Sequence, residues 1–330
     1  MDEFALIRRF FRDRPGQPAD GVLLGPGDDA ALLLPTPGHE LVMTLDTLLS
    51  GRHFPDDLPA ADIGWRSLAV NLSDLAAMGA TPRWCLLSLS LPDTLDAEQR
   101  EGWLSAFCDG FYALAAASGV VLVGGDMVRG PLSISLQATG EVPAGQALRR
   151  SGARPGDSIW IGGVPGEAAA GLAAWFAGAR DGALIQQFSR PSPQLALGQA
   201  LRGRATACID VSDGLLADLG HILAESGAMM GAMGETDALG ATLTLADLPC
   251  SAALANAGDA PARRQWQLAG GDDYLLLFTL PPGQKPPADV SAHCHRIGVV
   301  TAQAPIQVLD AQGCPLTALP QGWNHFATPG

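Results

Sequence analysis

The chain has 330 residues, 47% of them hydrophobic, and its acidic residues outnumber the basic ones 34 to 20, which gives a net charge of −14. This length exceeds the usual size of one domain and predicts two. The negative charge argues against a nucleic acid or an anionic membrane as partner, because phosphate groups would repel the chain. A small phosphorylated ligand would need metal ions or a local basic group to offset that repulsion.

The cellular setting is predicted from the cysteines and the N-terminus. Six cysteines are scattered along the chain without a C-x-x-C pair, which favours unpaired thiols in a reducing compartment. The start MDEFALIRRFF lacks the apolar core of a secretory signal, and Phe4, Ile7 and Phe11 have the spacing of a short amphipathic helix. The most apolar window, ALAAASGVVLV, is too short to cross a bilayer. We therefore expect a soluble cytoplasmic protein.

Strand and helix patterns alternate through the first part of the chain. The strand ELVMTLDTLL is expected to end near Asp46, and the helix ADIGWRSLAVNLSDLAAMGA to stop at Gly79. The strand RWCLLSLSLP, the helix AEQREGWLSAFCDGFYALAAASG, the buried strand VVLVGGD opening into a glycine turn, and the strand LSISLQATGEV follow in order. The segment PAGQALRRSGARPGD breaks the pattern, so we place the domain boundary there, with domains at 1–145 and 146–330.

The second part again mixes the two element types. It is expected to begin with the strand SIWIGG and a helix from about Gly166 to Ala177. A strand, turn and helix follow in ATACIDVSDGLLADLGHILAESG, and a turn and apolar strand in LAGGDDYLLLFTL. Residues 227–262 are rich in Ala, Gly and Met with little periodicity, and we expect mobile surface there. The mixture predicts two α/β or α+β domains.

Aspartates recur beside glycines along the chain. The set comprises Asp28 and Asp29 after Gly27, Asp126 after Gly124 and Gly125, Asp210 and Asp213 in IDVSDG, and Asp272 and Asp273 after Gly270 and Gly271, with Asp46 and Asp74 in addition. Each cluster is expected where a strand or helix meets a turn. Glycine there lets the backbone approach a phosphate closely, and its N–H groups can bind an anion.

Each cluster also has an ordinary explanation. Asp and Gly are common in solvated turns, Asp213 could cap a helix that starts at Gly214, and Asp74 could face water together with Asn71. Taken together, however, converging carboxylates must either stay protonated or hold cations, and Mg²⁺ prefers oxygen ligands. The set predicts a Mg²⁺–nucleotide site rather than a zinc site, for which no Cys/His spacing exists.

Several common catalytic motifs are absent from the sequence. There is no G-x-x-x-x-G-K-[ST] phosphate loop and no G-x-S-x-G nucleophile motif. The stretch GGVPGEAAAGL lacks G-x-G-x-x-G and is better interpreted as a plain strand-to-helix turn. His221 is expected on a helix face. These absences exclude P-loop enzymes and give no support to a dinucleotide-binding protein or a serine hydrolase.

Eight motifs occur in the order found in thiamine-monophosphate kinases. They are GPGDDAAL, TLDTLLSGRHF, AVNLSDLAAMGA, VGGDMVRGPL, RSGARPGD, IDVSDGLLADLGHI, LAGGDDY and GWNHFATP. The chain resembles this family from its first helix to its C-terminus. The resemblance implies a two-domain PurM-like α/β fold, with a homodimer formed through a barrel of the N-terminal sheets. Residues 1–145 would then bind ATP and Mg²⁺, and 146–330 would form the C-terminal PurM-like domain.

The resemblance further implies that ATP phosphorylates thiamine monophosphate to thiamine diphosphate with the help of several Mg²⁺ ions. The metal ligands carried over by motif are Asp29, Thr44, Leu45 (through its backbone only), Asp46, Asp74, Asp126, Asp210 and Asp213. ATP would contact Gly125, Asp126, Arg150 and Ser212, and thiamine phosphate would contact His53, Asp272 and Trp323. Direct roles in catalysis are expected for Asp46, Asp126 and Asp213.

Three features depart from the family pattern. Leu45 stands where the family usually has threonine, so a side-chain ligand is lost there. The family reads G-G-E-D-Y-E where this chain has GGDDYL, which makes Asp272 one methylene shorter than glutamate. The Ala/Gly/Met-rich stretch is longer than usual.

The implied chemistry agrees with the lack of an obvious catalytic histidine. The acceptor is a phosphate oxygen that is already ionised near neutral pH, so direct in-line attack on the γ-phosphate needs positioning and charge neutralisation rather than a general base. Two alternatives remain. The first is another ATP-using PurM-like enzyme, but selenophosphate synthetase would need a reactive cysteine with a lysine near the N-terminus, where none precedes Cys85, and the hydrogenase maturation dehydratase would need a C-terminal cysteine, where this chain has HFATPG. A non-catalytic Mg²⁺–nucleotide sensor would not need the complete set of ligands found in both domains.

Overall fold

The computed structural model describes residues 3–12, 21–235, 238–303, 305–320 and 322. The chain forms two compact units, one made of Met1–Leu75 and Ala80–Gly145 and the other of Ala76–Gly79 and Gln146–Gly330. Both units mix helices and strands, as the sequence predicts. Within the described residues, no helix combines the length and the apolar character that a membrane crossing requires.

The first unit begins with a short helix and contains a four-stranded sheet. Its elements are α1 (Glu3–Ile7, continued by a wider helical turn at Arg8–Arg12), β1 (Val22–Leu24), β2 (Leu32–Leu33), β3 (His39–Leu49), α2 (Ala60–Ala77), β4 (Thr81–Leu91), α3 (Ala97–Ser118), β5 (Val121–Arg129) and β6 (Ser133–Pro143). The strand order is β3-β6-β4-β5, so β3 and β5 are the edges. Only β4 and β5 pair in parallel.

Local sequence signals account for the ends of the two long helices. Asp96 and Gln99 form a reciprocal capping box at the start of α3, and Gly119 ends this helix in the left-handed conformation. Gly79 (φ +66°) follows α2 in the same way, so the predicted stop is confirmed. The termini of these helices are therefore encoded by residues within one or two turns of each end.

Glycines let α2 and α3 pack in backbone contact. A Cβ atom at Gly110 would lie 1.7 Å from the carbonyl oxygen of Ala61, and one at Gly64 would lie 2.0 Å from that of Phe107. Leu68 and Leu72 of α2 are fully buried. The apolar face predicted for α2 is thus part of the core of the first unit.

One face of the four-stranded sheet carries a group of exposed apolar side chains. We call it the exposed sheet face, and define it by Leu41, Met43, Leu45 and Leu49 of β3, Leu86 of β4 and Val128 of β5. Its two most exposed members, Met43 and Leu45, keep 66% and 65% of their surface. Neighbouring side chains on a strand alternate between faces, and Leu48 on the other face is buried. These apolar side chains lie mainly on the edge strand β3, since their partners on β6, such as Gln137 opposite Leu45, are polar. Exposed apolar side chains grouped along a strand are typical of an interaction site.

The second unit is built on a six-stranded sheet. Its elements are β7 (Ser158–Gly162), α4 (Glu167–Phe176), α5 (Ala183–Ser189), α6 (Leu195–Ala200), β8 (Ala207–Asp210), α7 (Leu215–Ala232), β9 (Gly240–Thr244), α8 (Ala252–Ala257), α9 (Ala260–Ala269), β10 (Leu276–Leu280), β11 (Cys294–Thr301) and β12 (Ile306–Leu309). The strand order is β12-β9-β11-β7-β10-β8. Leu215, Leu219 and Ile222 of α7 pack in the core against this sheet.

Two sequence expectations about strand ends are wrong. β5 does not open into a glycine turn but continues through Gly124, Gly125 and Asp126 as a strand paired with β4. The glycine is needed because a Cβ at Gly125 would lie 1.9 Å from the carbonyl oxygen of Leu87. Asp46 likewise lies inside β3 rather than at its end.

The expectation of mobile surface at 227–262 is also wrong for most of that stretch. α7 continues to Ala232, and β9, α8 and the start of α9 occupy the rest, with residues 236 and 237 outside the described residues. Leu243 and Leu254 are completely buried. Small residues hide the periodicity, but these leucines anchor the segment to the core.

Candidate functional site

β3 and α2 bring three oxygen-bearing side chains together in the first unit. Thr44 and Asp46 are two residues apart on β3 and therefore share a face. The Thr44 hydroxyl donates to the Asp74 carboxylate of α2 at 2.5 Å. Burial, with a smaller contribution from the negative charge of Asp74, raises the pKa of Asp46 to about 6. A carboxylate whose ionisation is hindered by burial and by a second carboxylate nearby is the arrangement expected of a divalent-cation site.

Leu45 does not share that face. Its side chain belongs to the exposed sheet face, on the opposite side of the strand from Asp46. β3 is an edge strand, so about half of its backbone groups point away from β6. A role for Leu45 as a metal ligand can therefore involve only its backbone.

Asp126 lies far from Asp46 in a single chain. Asp46 is aligned with Leu136, Leu136 with Leu87, and Leu87 with Gly125, the neighbour of Asp126. Three strand spacings put the backbones of the two edge strands ~14 Å apart. Asp126 is paired with Ser88, the residue after Leu87. Its side chain therefore lies on the sheet face opposite to that of Asp46. The fold of one chain does not bring these two carboxylates to a common ion.

A cleft of about 990 Å³ in the first unit contains the opening glycine turn and the middle of β5. Its polar lining includes Arg8, Arg12, Asp28, Asp29 and Asp126 together with the backbone of Gly125. The Asp28 carboxylate accepts the backbone N–H of Asp29 at 2.8 Å, so this member of the pair shapes its own turn. The structure thus groups Asp29 with Gly125 and Asp126.

His53 lies in the turn that follows β3. Its Nδ1 accepts the backbone N–H of Leu49 at 3.0 Å, which fixes the ring and identifies Nδ1 as the unprotonated nitrogen when this bond is made. The side chain is half-buried. Trp323, the other aromatic residue expected at the substrate, lies outside the described residues.

In the second unit, β8 ends at Asp210 and the turn Val211–Gly214 leads into α7. Asp210 is only 4% exposed, while Ser212 and Asp213 are half-buried. Asp213 does not cap the helix, because Gly214 occupies the cap position and no side-chain cap is formed. Instead, Asp218 in the first turn of α7 accepts backbone N–H groups from Ser212, Asp213 and Gly214 at 3.0, 3.1 and 3.1 Å.

The loop carrying Asp272 is bonded to that turn. The N–H of Asp272 donates to the carbonyl of Ser212 at 2.9 Å, and the N–H of Tyr274 donates to that of Val211 at 2.8 Å. The Tyr274 hydroxyl donates to the Asp272 carboxylate at 3.0 Å. Asp272 and Tyr274 both have positive φ, 68° and 52°, a conformation that is uncommon outside glycine. The structure therefore brings Asp272 beside Ser212.

Asp273 has a structural role of its own. It turns away from its neighbour and accepts the N–H groups of Gly166 and Ala168 at 2.6 and 3.1 Å, which caps the start of α4. Burial raises the pKa of Asp273 to about 8, although the two hydrogen bonds act in the other direction. GGVPGEAAAGL is accordingly a strand-to-helix turn, as predicted.

Two residues that the sequence analysis did not select stand beside Asp213. Asp213, Asp218 and His221 each place one potential ligand atom within 4.8 Å of the others. His221 is exposed on α7, on the helix face where we expected it. In the sequence, only the i, i+3 spacing of Asp218 and His221 in DGLLADLGH could have indicated that these two residues lie together beside Asp213. Arg150 is exposed, and its carbonyl accepts the Ser226 hydroxyl at 3.4 Å.

All six cysteines are unpaired, as the sequence predicts, and three of them, Cys85, Cys108 and Cys208, are buried. Burial raises the pKa of Cys85 and Cys208 far above its ordinary value. These thiols therefore stay protonated and serve as core residues rather than as nucleophiles.

Two α/β units carrying carboxylate turns, without a phosphate loop, are the features of a PurM-like protein. In agreement with this, residues 27–142 match the family described as AIR synthase related protein, N-terminal domain. A solved structure of AaThiL complexed with AMPPCP and TMP has a TM-score of 0.76 and 29% identity, covering 89% of both chains.

The particular family is defined by full-length likeness. The thiamine-monophosphate kinase of Escherichia coli K12 is 44% identical over 340 residues, which cover 99% of each chain. The crystal structure of thiamine-monophosphate kinase from Stenotrophomonas maltophilia is 44% identical, with a TM-score of 0.79, and covers 93% of this chain and 96% of that one. The chain belongs to the thiamine-monophosphate kinase family.

Proposed function

We propose that this chain transfers the γ-phosphoryl group of ATP to thiamine monophosphate and forms thiamine diphosphate. The observation that carries the proposal is the 44% identity to the Escherichia coli kinase across 99% of both chains. A related structure that holds AMPPCP and TMP supports the same pair of substrates.

The donor atoms of both units suit Mg²⁺. Thr44, Asp46 and Asp74 in the first unit, and Asp210 and Asp213 in the second, offer only oxygen ligands. Burial and the nearby charge of Asp74 raise the pKa of Asp46, and a bound cation would favour its ionised form. Bound Mg²⁺ would neutralise phosphate charge that this acidic chain cannot neutralise by itself. We assign Asp29 and Asp126, and the backbone of Leu45, to the same task.

The remaining site residues bind and orient the substrates. Gly125 presents backbone without a side chain where a phosphate can approach, and Arg150 and Ser212 contribute a cation and a hydroxyl group to ATP. His53, Asp272 and Trp323 hold thiamine phosphate. The acceptor oxygen is ionised near neutral pH, so these residues need to align it in line with the γ-phosphate and need not remove a proton.

We also infer that the chain works as a homodimer in the cytoplasm. The exposed sheet face has the apolar character of an interface, and the unpaired thiols suit a reducing compartment. Packing two such faces together can bring β5 of one copy toward β3 of the other. Such packing would place Asp126, which lies on the exposed sheet face, near the second copy, whereas Asp46 lies on the other face of its sheet.

A coupled assay tests the activity directly, by measuring thiamine diphosphate formed from thiamine monophosphate, ATP and Mg²⁺. Asp126→Asn should lower turnover by about 100-fold or more, the size of effect seen when electrostatic stabilisation is removed, with an unchanged circular dichroism spectrum. Asp93→Asn, in an exposed turn, is the matched control. Near-normal turnover in Asp126→Asn contradicts the assigned role, and ATP binding without product formation by the wild type would favour the nucleotide sensor.

A further inference from the structure

Asp218 makes an unusual set of contacts for a residue in the first turn of a helix. It is 2% exposed, and one oxygen, Oδ2, accepts three successive backbone N–H groups, those of Ser212, Asp213 and Gly214, at 3.0 to 3.1 Å. These N–H groups precede α7, whose first residue is Leu215. A buried carboxylate therefore closes the N-terminal end of α7 from inside the protein.

This closure changes which ligands the turn can attract. Free N–H groups at a helix N-terminus, with the positive end of the helix dipole, normally bind anions such as phosphate. Here the amides of Ser212, Asp213 and Gly214 are all directed at Asp218, which occupies the position that a ligand anion would take. The half-buried Asp213 then offers a carboxylate at this turn in place of the amides, and a carboxylate attracts cations.

The same turn is fixed on its carbonyl side. The carbonyls of Val211 and Ser212 accept the N–H groups of Tyr274 and Asp272. With Asp218 holding the amides and the Asp272 loop holding the carbonyls, the backbone from Val211 to Gly214 has hydrogen bonds on both sides. Asp213 thus projects from a rigid backbone, which favours precise placement of a metal ligand.

We propose that Asp218 is a positioning residue for phosphoryl transfer, which makes the turn at Ser212–Gly214 a cation site instead of a phosphate-binding turn. The inference rests on the proposed function. It means that phosphate reaches this turn through a divalent cation held by Asp213 and its neighbours, and not through the backbone amides. Asp218 itself does not contact the substrate.

The first test uses the wild-type protein and needs no substitution. The backbone amide resonances of Ser212, Asp213 and Gly214 are followed by NMR while either inorganic phosphate or Mg²⁺ is added alone. We expect Mg²⁺ to shift these resonances and phosphate without metal to leave them unchanged. Saturable shifts caused by phosphate alone, or no shift with Mg²⁺, would overturn the proposal.

The second test removes the charge. Asp218→Asn keeps the size of the side chain, and Glu225→Gln, exposed on the same helix, is the matched control. Loss of a residue that orients a metal ligand typically costs 10- to 100-fold in metal affinity or activity. We therefore expect Asp218→Asn to raise the half-saturating Mg²⁺ concentration about 10-fold and to lower kcat, with an unchanged KM for thiamine monophosphate, and Asp218→Glu to recover part of the loss.

The two proposals fail in different ways. If the wild type forms no thiamine diphosphate, the proposed function is wrong. A different result is that the wild type is active, Asp218→Asn melts at a lower temperature, and its activity has the same Mg²⁺ dependence as that of Glu225→Gln. In that case Asp218 only stabilises the helix end and does not position a metal ligand. If Asp218→Asn does not fold, the NMR titration of the wild type decides between these possibilities.

Discussion

The carboxylate pair of Asp46 and Asp74 makes a prediction about stability as well as catalysis. The pKa of Asp46 is about 6 in the folded protein against 3.8 ordinarily. Because the folded state binds this proton more tightly, the metal-free protein loses stability as pH rises from about 4 through about 6, and the loss persists above pH 6. A pKa difference of about two units corresponds to a loss of at most ~3 kcal/mol in the free energy of unfolding. The loss is smaller than this limit because the half-buried carboxylate retains part of its hydration.

Asp46→Asn removes the ionising group. In EDTA and above pH 6, we expect the variant to melt several degrees higher than the wild type, because ~1 kcal/mol moves the midpoint of a unit this size by ~2–4 °C. Below the ordinary pKa of the carboxylate the difference should vanish. Mg²⁺ should reverse the order above pH 6, since binding at 100 times the dissociation constant stabilises the wild type by ~2.7 kcal/mol and the variant lacks a ligand.

Thermal unfolding followed by circular dichroism, below and above pH 6 and with either EDTA or Mg²⁺, measures all four conditions. Asp93→Asn controls for the loss of a negative charge from this acidic chain. The reasoning fails if metal-free Asp46→Asn is less stable than the wild type above pH 6, or if Mg²⁺ stabilises both proteins equally. The first result would mean that Asp46 ionises without penalty, and the second that it does not bind the ion.

Three further predictions test the core, the substrate loop and the exposed sheet face. Gly110→Ala should lower the free energy of unfolding, measured by denaturant titration, by ~3 kcal/mol, because the added methyl group would lie 1.7 Å from a backbone carbonyl oxygen. Gly102→Ala on the same helix has open space around it and should raise the free energy of unfolding by ~0.5–1 kcal/mol. Equal effects of the two substitutions would contradict the packing. Tyr274→Phe should raise the KM for thiamine monophosphate about 3- to 10-fold by removing one hydrogen bond, and a change confined to the KM for ATP would show that the loop serves the nucleotide. Met43→Glu should dissociate the dimer in sedimentation experiments. Phe176→Glu, at a similarly exposed residue of the second unit, should leave the dimer intact. If both variants remain dimers, the interface lies elsewhere.

The sequence by itself determined features that depend on near neighbours. The capping box at Asp96 and Gln99, the stop at Gly79 and the apolar stripe of α2 could be predicted because helix geometry relates residues only three or four positions apart. The order of eight motifs identified the family. The strand-to-helix turn at GGVPGEAAAGL was also predictable, although its cap, Asp273, comes from a distant part of the chain.

The tertiary structure alone decided which carboxylates lie near each other. Spacing gives no information on strand order, so only the pairing of β3-β6-β4-β5 shows that Asp46 and Asp126 lie on opposite edges and faces. The order of the segment after α7 depended on the burial of Leu243 and Leu254, whereas the hydrogen bonds of Asp218 to the preceding turn are local, four to six residues apart. The physical reason is that turn chemistry and helix ends are set by local backbone geometry, whereas burial, strand register and the sharing of charge are set by contacts between residues far apart in the chain.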